Sequence, residues 1–134
     1  VCLSLALAVS LAAQAPAKIA TEADYAATMK EVGSLNGVVT KAIKGGVADD
    51  AAKAAATRLE VLFKNVHAYW NDKKVADATT AAQTAVTSLQ AVQKALAAND
   101  MTAAEAARGG VAGTCMACHT AHREKTPEGG WRMK

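Results

Sequence analysis

The sequence predicts an all-α protein, an antiparallel up-down-up-down four-helix bundle, from its composition and its turns. About a quarter of the 134 residues are alanine, the strongest helix former, whereas aromatic residues make up only 4%. Three turn signals, at 44–50, 71–74 and 97–101, divide the chain after residue 17 into four segments of about 20 to 25 residues with helical spacing. Short connections make neighbouring helices antiparallel, so four such segments form one bundle.

The first two segments each place apolar residues on one helical face. The first runs from about Thr21 to Lys44, with Thr21 as the N-cap and Asp24 three residues on, a variant of the capping box. Gly45 and Gly46 end it. Its predicted inner face consists of Tyr25, Met29, Val32, Val39 and Ile43. The predicted face of the second segment consists of Ala52, Ala55, Leu59, Leu62 and Val66, followed by Tyr69 and Trp70.

The last two segments follow the same spacing. The predicted face of the third segment consists of Ala82, Ala85, Leu89, Val92 and Leu96. The fourth begins after an Asn99 or Asp100 cap. Its predicted face consists of Ala104, Ala107, Val111, Cys115, Cys118 and His122. The tail after it, 126–134, is predicted to be irregular.

Residues 1–17 have the features of a secretory signal peptide that is truncated at its N-terminus. They carry no charge and hold an apolar run that ends in small residues. The run is shorter than the roughly 20 residues that a transmembrane helix needs. We therefore expect export to the periplasm, no integral membrane segment, and a mature domain at 18–134. Removal of the signal also removes Cys2, which leaves Cys115 and Cys118 as the only cysteines.

The net charge and the absence of recognisable catalytic sets exclude two function classes. A net charge of +3, spread over both signs, gives no basis for nucleic-acid binding. The sequence has no paired carboxylates around its cysteines and no recognisable pair of nucleophile and base, so we expect no enzyme activity.

The stretch that carries chemistry is C-x-x-C-H in "GTCMACHTAHREK", 113–125. On a helix, Cys115 and Cys118 lie one turn apart, which suits two neighbouring vinyl groups of a haem, and His119 leaves the same face and can reach the iron. A zinc site that used these residues and His122 would span about 10 Å of helix at 1.5 Å per residue, too far for four ligands at 2.0 to 2.3 Å. A redox disulfide of the thioredoxin type needs a βαβ setting, and no strand pattern is present. Covalent attachment of one haem c is therefore favoured.

Together, the signal peptide, the four helices and the single C-x-x-C-H on the last helix resemble the cytochrome c′ family of class II c-type cytochromes. The resemblance covers essentially the whole mature chain. It implies that His119 is the proximal axial ligand of the iron and that Arg123, four residues further on, is a cation near the haem or one of its propionates. It also implies that Gly109, Gly110 and Gly113 let the last helix approach the macrocycle.

The resemblance places the residue over the distal face of the haem on the first helix. Aligned on the Asn36-Gly37 step, that residue is Met29, which either ligates the iron, as in the low-spin members, or packs in the core. Tyr25, one turn earlier, is a candidate for the distal pocket or for packing between helices. His67 is a weaker distal candidate, and His122 leaves the same helix as His119 and cannot reach the opposite face.

Two functions follow from these alternatives. If Met29 ligates the iron, the chain is a periplasmic electron carrier with a six-coordinate, low-spin haem, and its partners are redox proteins. If Met29 only packs, the five-coordinate iron is open to small gases such as nitric oxide or carbon monoxide. The resemblance further implies a homodimer through the first two helices.

Overall fold

The structure, a computed structural model, describes residues 18–134, and the predicted signal peptide at 1–17 lies outside the described residues. It consists of four helices, α1 (Glu22–Gly45), α2 (Asp50–Asp72), α3 (Ala76–Ala97) and α4 (Met101–His122), and two short strands, β1 (Arg123–Lys125) and β2 (Trp131–Met133). The predicted four-helix bundle is confirmed.

The predicted side-chain caps Thr21 and Asp100 are confirmed, and Asp49, which was not predicted as a cap, caps a third helix. At the start of α1, Thr21 Oγ1 accepts a hydrogen bond from the Asp24 amide at 3.1 Å, and the Asp24 carboxylate accepts one from the Thr21 amide at 2.9 Å. The helix ends at Gly45, and its C-cap is Gly46, whose φ of 72° is a conformation that glycine adopts easily because glycine has no Cβ. Asp49 and Asp100 cap α2 and α4 in the same way, each accepting from the amide three residues on.

Polar contacts between the helices join residues in antiparallel register. Arg58 on α2 binds Glu31 on α1 at 2.7 Å, and Gln90 on α3 donates to Glu60 on α2 at 3.0 Å. At one end of the bundle His122, the last residue of α4, lies 2.7 Å from Asp77 at the start of α3. Each helix is therefore antiparallel to the one before it.

The predicted faces of α2 and α3 are buried along their whole length. The faces of α1 and α4 are buried only in part. α4, which the structure describes in full, buries only Ala104 and Val111, and α1 buries Thr28, Val32, Val39 and Ile43. These two helices contact each other less than the other neighbouring pairs do. The bundle is therefore closed at one end and open between α1 and α4 at the other.

The C-terminal tail is a β-hairpin, so the prediction of an irregular tail was wrong. Strand β2 pairs antiparallel with β1, and Arg123 lies opposite Met133. The turn between them is fixed by Gly129, whose φ is 83°, and by a hydrogen bond from the Thr126 amide to the Gly130 carbonyl at 3.0 Å. The alternation of only three residues per strand was too short to be distinguished from a loop.

None of the helices within 18–134 carries an apolar stretch of the length that crossing a bilayer requires.

Candidate functional site

A cavity of about 510 Å³ lies between α1 and α4 at the open end of the bundle. It exists because both helices lack large buried side chains there, while α2 and α3 continue to supply them. The buried residues on its wall are Val32, Leu59, Phe63, Val66, Trp70, Ala78, Ala82 and Val111. Mostly apolar walls with a few polar groups are typical of cofactor and ligand sites of this size.

Three residues of the C-x-x-C-H motif lie together on the α4 wall of this cavity: Cys115, Cys118 and His119. Their spacing puts them on one helical face, as predicted. Both cysteines are free and half-buried. Burial raises the pKa of both thiols, which keeps them protonated at neutral pH. Burial also lowers the pKa of His119, with a smaller contribution from the Arg123 guanidinium, so that the imidazole is neutral and has a lone pair to donate.

Arg123 lines the cavity beside the motif. Its guanidinium carbon lies 3.9 Å from the centre of the Trp131 ring. Within the described chain its Nε is buried and has no hydrogen-bond partner. The cationic side chain of Arg123 on this wall fits a cavity that receives an anionic group, and its buried Nε is not part of that exposed surface.

The opposite wall of the cavity is formed by α1. Met29 lies on it, half-buried, and Gly33 follows one turn later. No atom lies within 4 Å of the position that a Cβ of Gly33 would occupy. The missing side chain therefore leaves space beside Met29.

Tyr25 both lines the cavity and packs between helices. Its hydroxyl accepts a hydrogen bond from Trp70 Nε1 at 3.0 Å, and its ring centre lies 5.0 Å from that of Tyr69. Burial raises the pKa of Tyr25, so the hydroxyl stays protonated. Tyr25 therefore packs between helices, as one alternative predicted, and its place in a distal haem pocket stays a prediction.

The two other histidines differ in position. His122 lines the cavity, but it packs against the Trp70 ring at 5.2 Å between centres and its Nε2 is hydrogen-bonded to Asp77. The cavity wall includes His119 and His122 but not His67.

Sequence reasoning missed Met133, and the role of the glycines before the motif stays a prediction. Met133 was placed in an irregular tail, whereas it lies on the cavity wall, with its sulfur 3.9 Å from the Tyr69 hydroxyl. The Gly129-Gly130 pair, which marks a turn just before Trp131, was the available signal. Of the three glycines, Gly110 packs closely on Ser88 of α3, where a Cβ would meet the hydroxyl at 2.7 Å, and the cavity wall includes none of them.

Among residues 18–134, no group of three or more His, Cys, Asp or Glu side chains is arranged to hold a metal ion. Comparisons with protein-family models, with curated proteins and with solved structures found no match to the chain.

Proposed function

We propose that the chain is a periplasmic mono-haem c-type cytochrome that carries electrons through a low-spin haem ligated by His119 and Met29. One observation carries the proposal. A single apolar cavity has two free cysteines and a neutral histidine on one wall, in the order C-x-x-C-H, and a methionine on the facing helix.

The residues present fit a covalently held haem. The thiols of Cys115 and Cys118 are protonated and one turn apart, the form and spacing needed to add across two vinyl groups. The cationic side chain of Arg123 on the same wall matches a propionate carboxylate. The haem would supply an iron that takes up and releases one electron.

The protein's part would then be to hold the iron. His119 would donate a neutral imidazole from α4, and Met29 would donate a thioether from α1. A histidine and methionine pair raises the reduction potential relative to other ligand sets, which suits an electron carrier. The carrier would meet its redox partner proteins through short-lived contacts, and the homodimer through α1 and α2 stays a prediction.

A second function, binding of nitric oxide or carbon monoxide by five-coordinate iron, is favoured by one observation. The space that Gly33 leaves beside Met29 is of the kind that a diatomic ligand needs on an apolar wall. In that case Met29 would pack beside the ligand and would not bind the iron.

The visible spectrum of haem-matured protein, with and without carbon monoxide, distinguishes the two functions. We expect a low-spin spectrum that carbon monoxide leaves unchanged. We expect Met29→Ala to become high-spin and to bind the gas. Met133→Ala is the matched control, because it removes the other methionine on the cavity wall and should keep the low-spin spectrum.

Each other outcome has a definite meaning. A wild-type spectrum that is high-spin and shifts with carbon monoxide would establish the gas-binding alternative. An unchanged spectrum in Met29→Ala would refute ligation by Met29. Failure to attach haem covalently, while both cysteines are intact, would refute both functions. Recovery of the holo-protein from the cytoplasmic fraction alone would contradict the periplasmic location.

A further inference from the structure

We infer that the C-terminal hairpin is a clamp that holds the Arg123 guanidinium on the cavity wall as the partner of a haem carboxylate, and that Trp131 is its positioning residue. This inference rests on the proposed function, because the carboxylate belongs to the haem. It goes beyond that function by giving a role to the hairpin, which is separate from the four helices and from both axial ligands.

The guanidinium of Arg123 stacks on the ring of Trp131. The guanidinium carbon lies 3.9 Å from the ring centre, within the range of a close cation–π contact. Lys125, directly opposite Trp131 in the register of the strands, lies further away, with its Nζ 5.5 Å from the same centre. Arg123 therefore takes the nearer position on this ring.

Hydrogen bonds anchor the hairpin to α4. The Lys134 amide donates a hydrogen bond to the carbonyl of His122 at 3.0 Å, and the Lys134 ammonium donates to the carbonyl of Thr120 at 3.0 Å. Across the strands, Arg132 pairs with Glu124 at 2.7 Å. The hairpin that carries Trp131 is thus tied at Lys134 to the end of the helix that carries the motif.

The cavity wall carries more cations than carboxylates. Arg123 lies on this wall, and its Nε, which is covered by protein atoms, has no hydrogen-bond partner in the described chain. The charged residues on the wall are three cations, Lys30, Arg123 and Arg132, and one carboxylate, Glu22. Because Arg132 is paired with Glu124, the surplus of positive charge is left to Lys30 and Arg123. That surplus around a mostly apolar cavity is complementary to a haem, which is flat, apolar and carries two carboxylates. The hairpin brings two of the three cations to this wall.

The test is the reduction potential of the holo-protein in matched variants. Trp131→Leu keeps apolar bulk but removes the aromatic face, whereas Trp131→Phe keeps a face. Trp131 is 53% exposed, so neither change should prevent folding, which far-UV circular dichroism checks. Lys125→Gln is the control. Lys125 is a second cation beside the Trp131 ring, but it does not line the cavity.

We expect the potential to fall in Arg123→Gln, because an unpaired carboxylate favours the ferric iron. Trp131→Leu should also lower the reduction potential, because without the aromatic ring the stacking contact no longer holds Arg123 in position. The fall should correspond to a factor of about three or more in the equilibrium constant for reduction. Trp131→Phe and Lys125→Gln should stay close to the wild type. In the Arg123→Gln background, Trp131→Leu should cause no further fall.

Two results would overturn the clamp. One is an unchanged potential in Trp131→Leu. The other is an equal fall caused by Trp131→Leu whether or not Arg123 is present, which would mean that Trp131 acts only by excluding solvent. Failure of the proposed function is distinguished beforehand, because without covalently attached haem there is no haem potential to compare.

Discussion

The hydrogen bond from Trp70 to Tyr25 links the start of α1 to the end of α2, and replacing Tyr25 by Phe removes its acceptor alone. The aromatic rings would stay, since the ring centres of Tyr25 and Trp70 are 5.8 Å apart and Phe fills the same volume. Trp70 is 4% exposed, so its indole N–H would be left buried without a partner. Such a loss costs about 1 to 3 kcal/mol of unfolding free energy.

The size of the loss should depend on whether the cavity is filled. Trp70 lines the cavity, so a water molecule can take the place of the lost hydroxyl in haem-free protein. We therefore expect about 1 kcal/mol in the haem-free protein and closer to 3 kcal/mol in the holo-protein. For a domain of this size these losses lower the melting temperature by roughly 4 to 12 °C.

Thermal unfolding of both forms, followed by far-UV circular dichroism, measures the effect. Tyr69→Phe is the matched control, because the hydrogen bond that the Tyr69 hydroxyl donates to the Met133 sulfur, at 3.9 Å, is long and weak. Equal melting temperatures for Tyr25→Phe and wild type would refute the reasoning. So would a loss in Tyr69→Phe as large as that in Tyr25→Phe.

Three further predictions concern the scaffold. Hydrogen bonds from Lys64, Gln93 and Gln90 lower the pKa of Glu60 from 4.5 to about 2. The contribution of Glu60 to the unfolding free energy is therefore present above pH 4.5 and is lost as the pH falls towards 2. In Glu60→Gln, the unfolding free energy measured in urea should fall less over that pH range than in the wild type. Asp100→Ala removes the cap of α4 and should cost about 1 kcal/mol in urea unfolding, whereas Asp100→Asn should cost far less. Gly110→Ala should raise the unfolding free energy by about 1 kcal/mol in a Ser88→Ala background, where no hydroxyl obstructs the new Cβ, and by less in the wild type. Equal gains in both backgrounds would contradict the close packing at this position.

The sequence predicted those parts of the fold that depend on local chemistry. Thr21, Gly46 and Asp100 act on the backbone within a few residues of themselves, so the helix ends could be located from spacing alone. The faces of α2 and α3 follow a regular repeat and are buried along it. The cavity wall on α4 was also foreseeable, because Cys115, Cys118 and His119 share a face for reasons of helical geometry.

The rest of the site depends on contacts between distant parts of the chain. The acceptor of the Trp70 indole lies 45 residues away on α1, and no local pattern links the two. Arg123 was singled out by resemblance, but its stacking on Trp131 requires a hairpin whose strands are too short to show a period. Met133 reaches the cavity only through the same hairpin.

The uneven burial along α4 has a consequence for how the protein opens. Beyond Val111, the last eleven residues of this fully described helix are held by half-buried side chains, so releasing them exposes little apolar surface. Segments of that kind unfold locally at a lower free energy than the buried helices beside them. Amide hydrogens in this last part of α4 should exchange with solvent sooner than those of α2 and α3. Cys115 and Cys118 lie within it, so chemistry on their thiols can proceed through local opening while the other three helices stay folded.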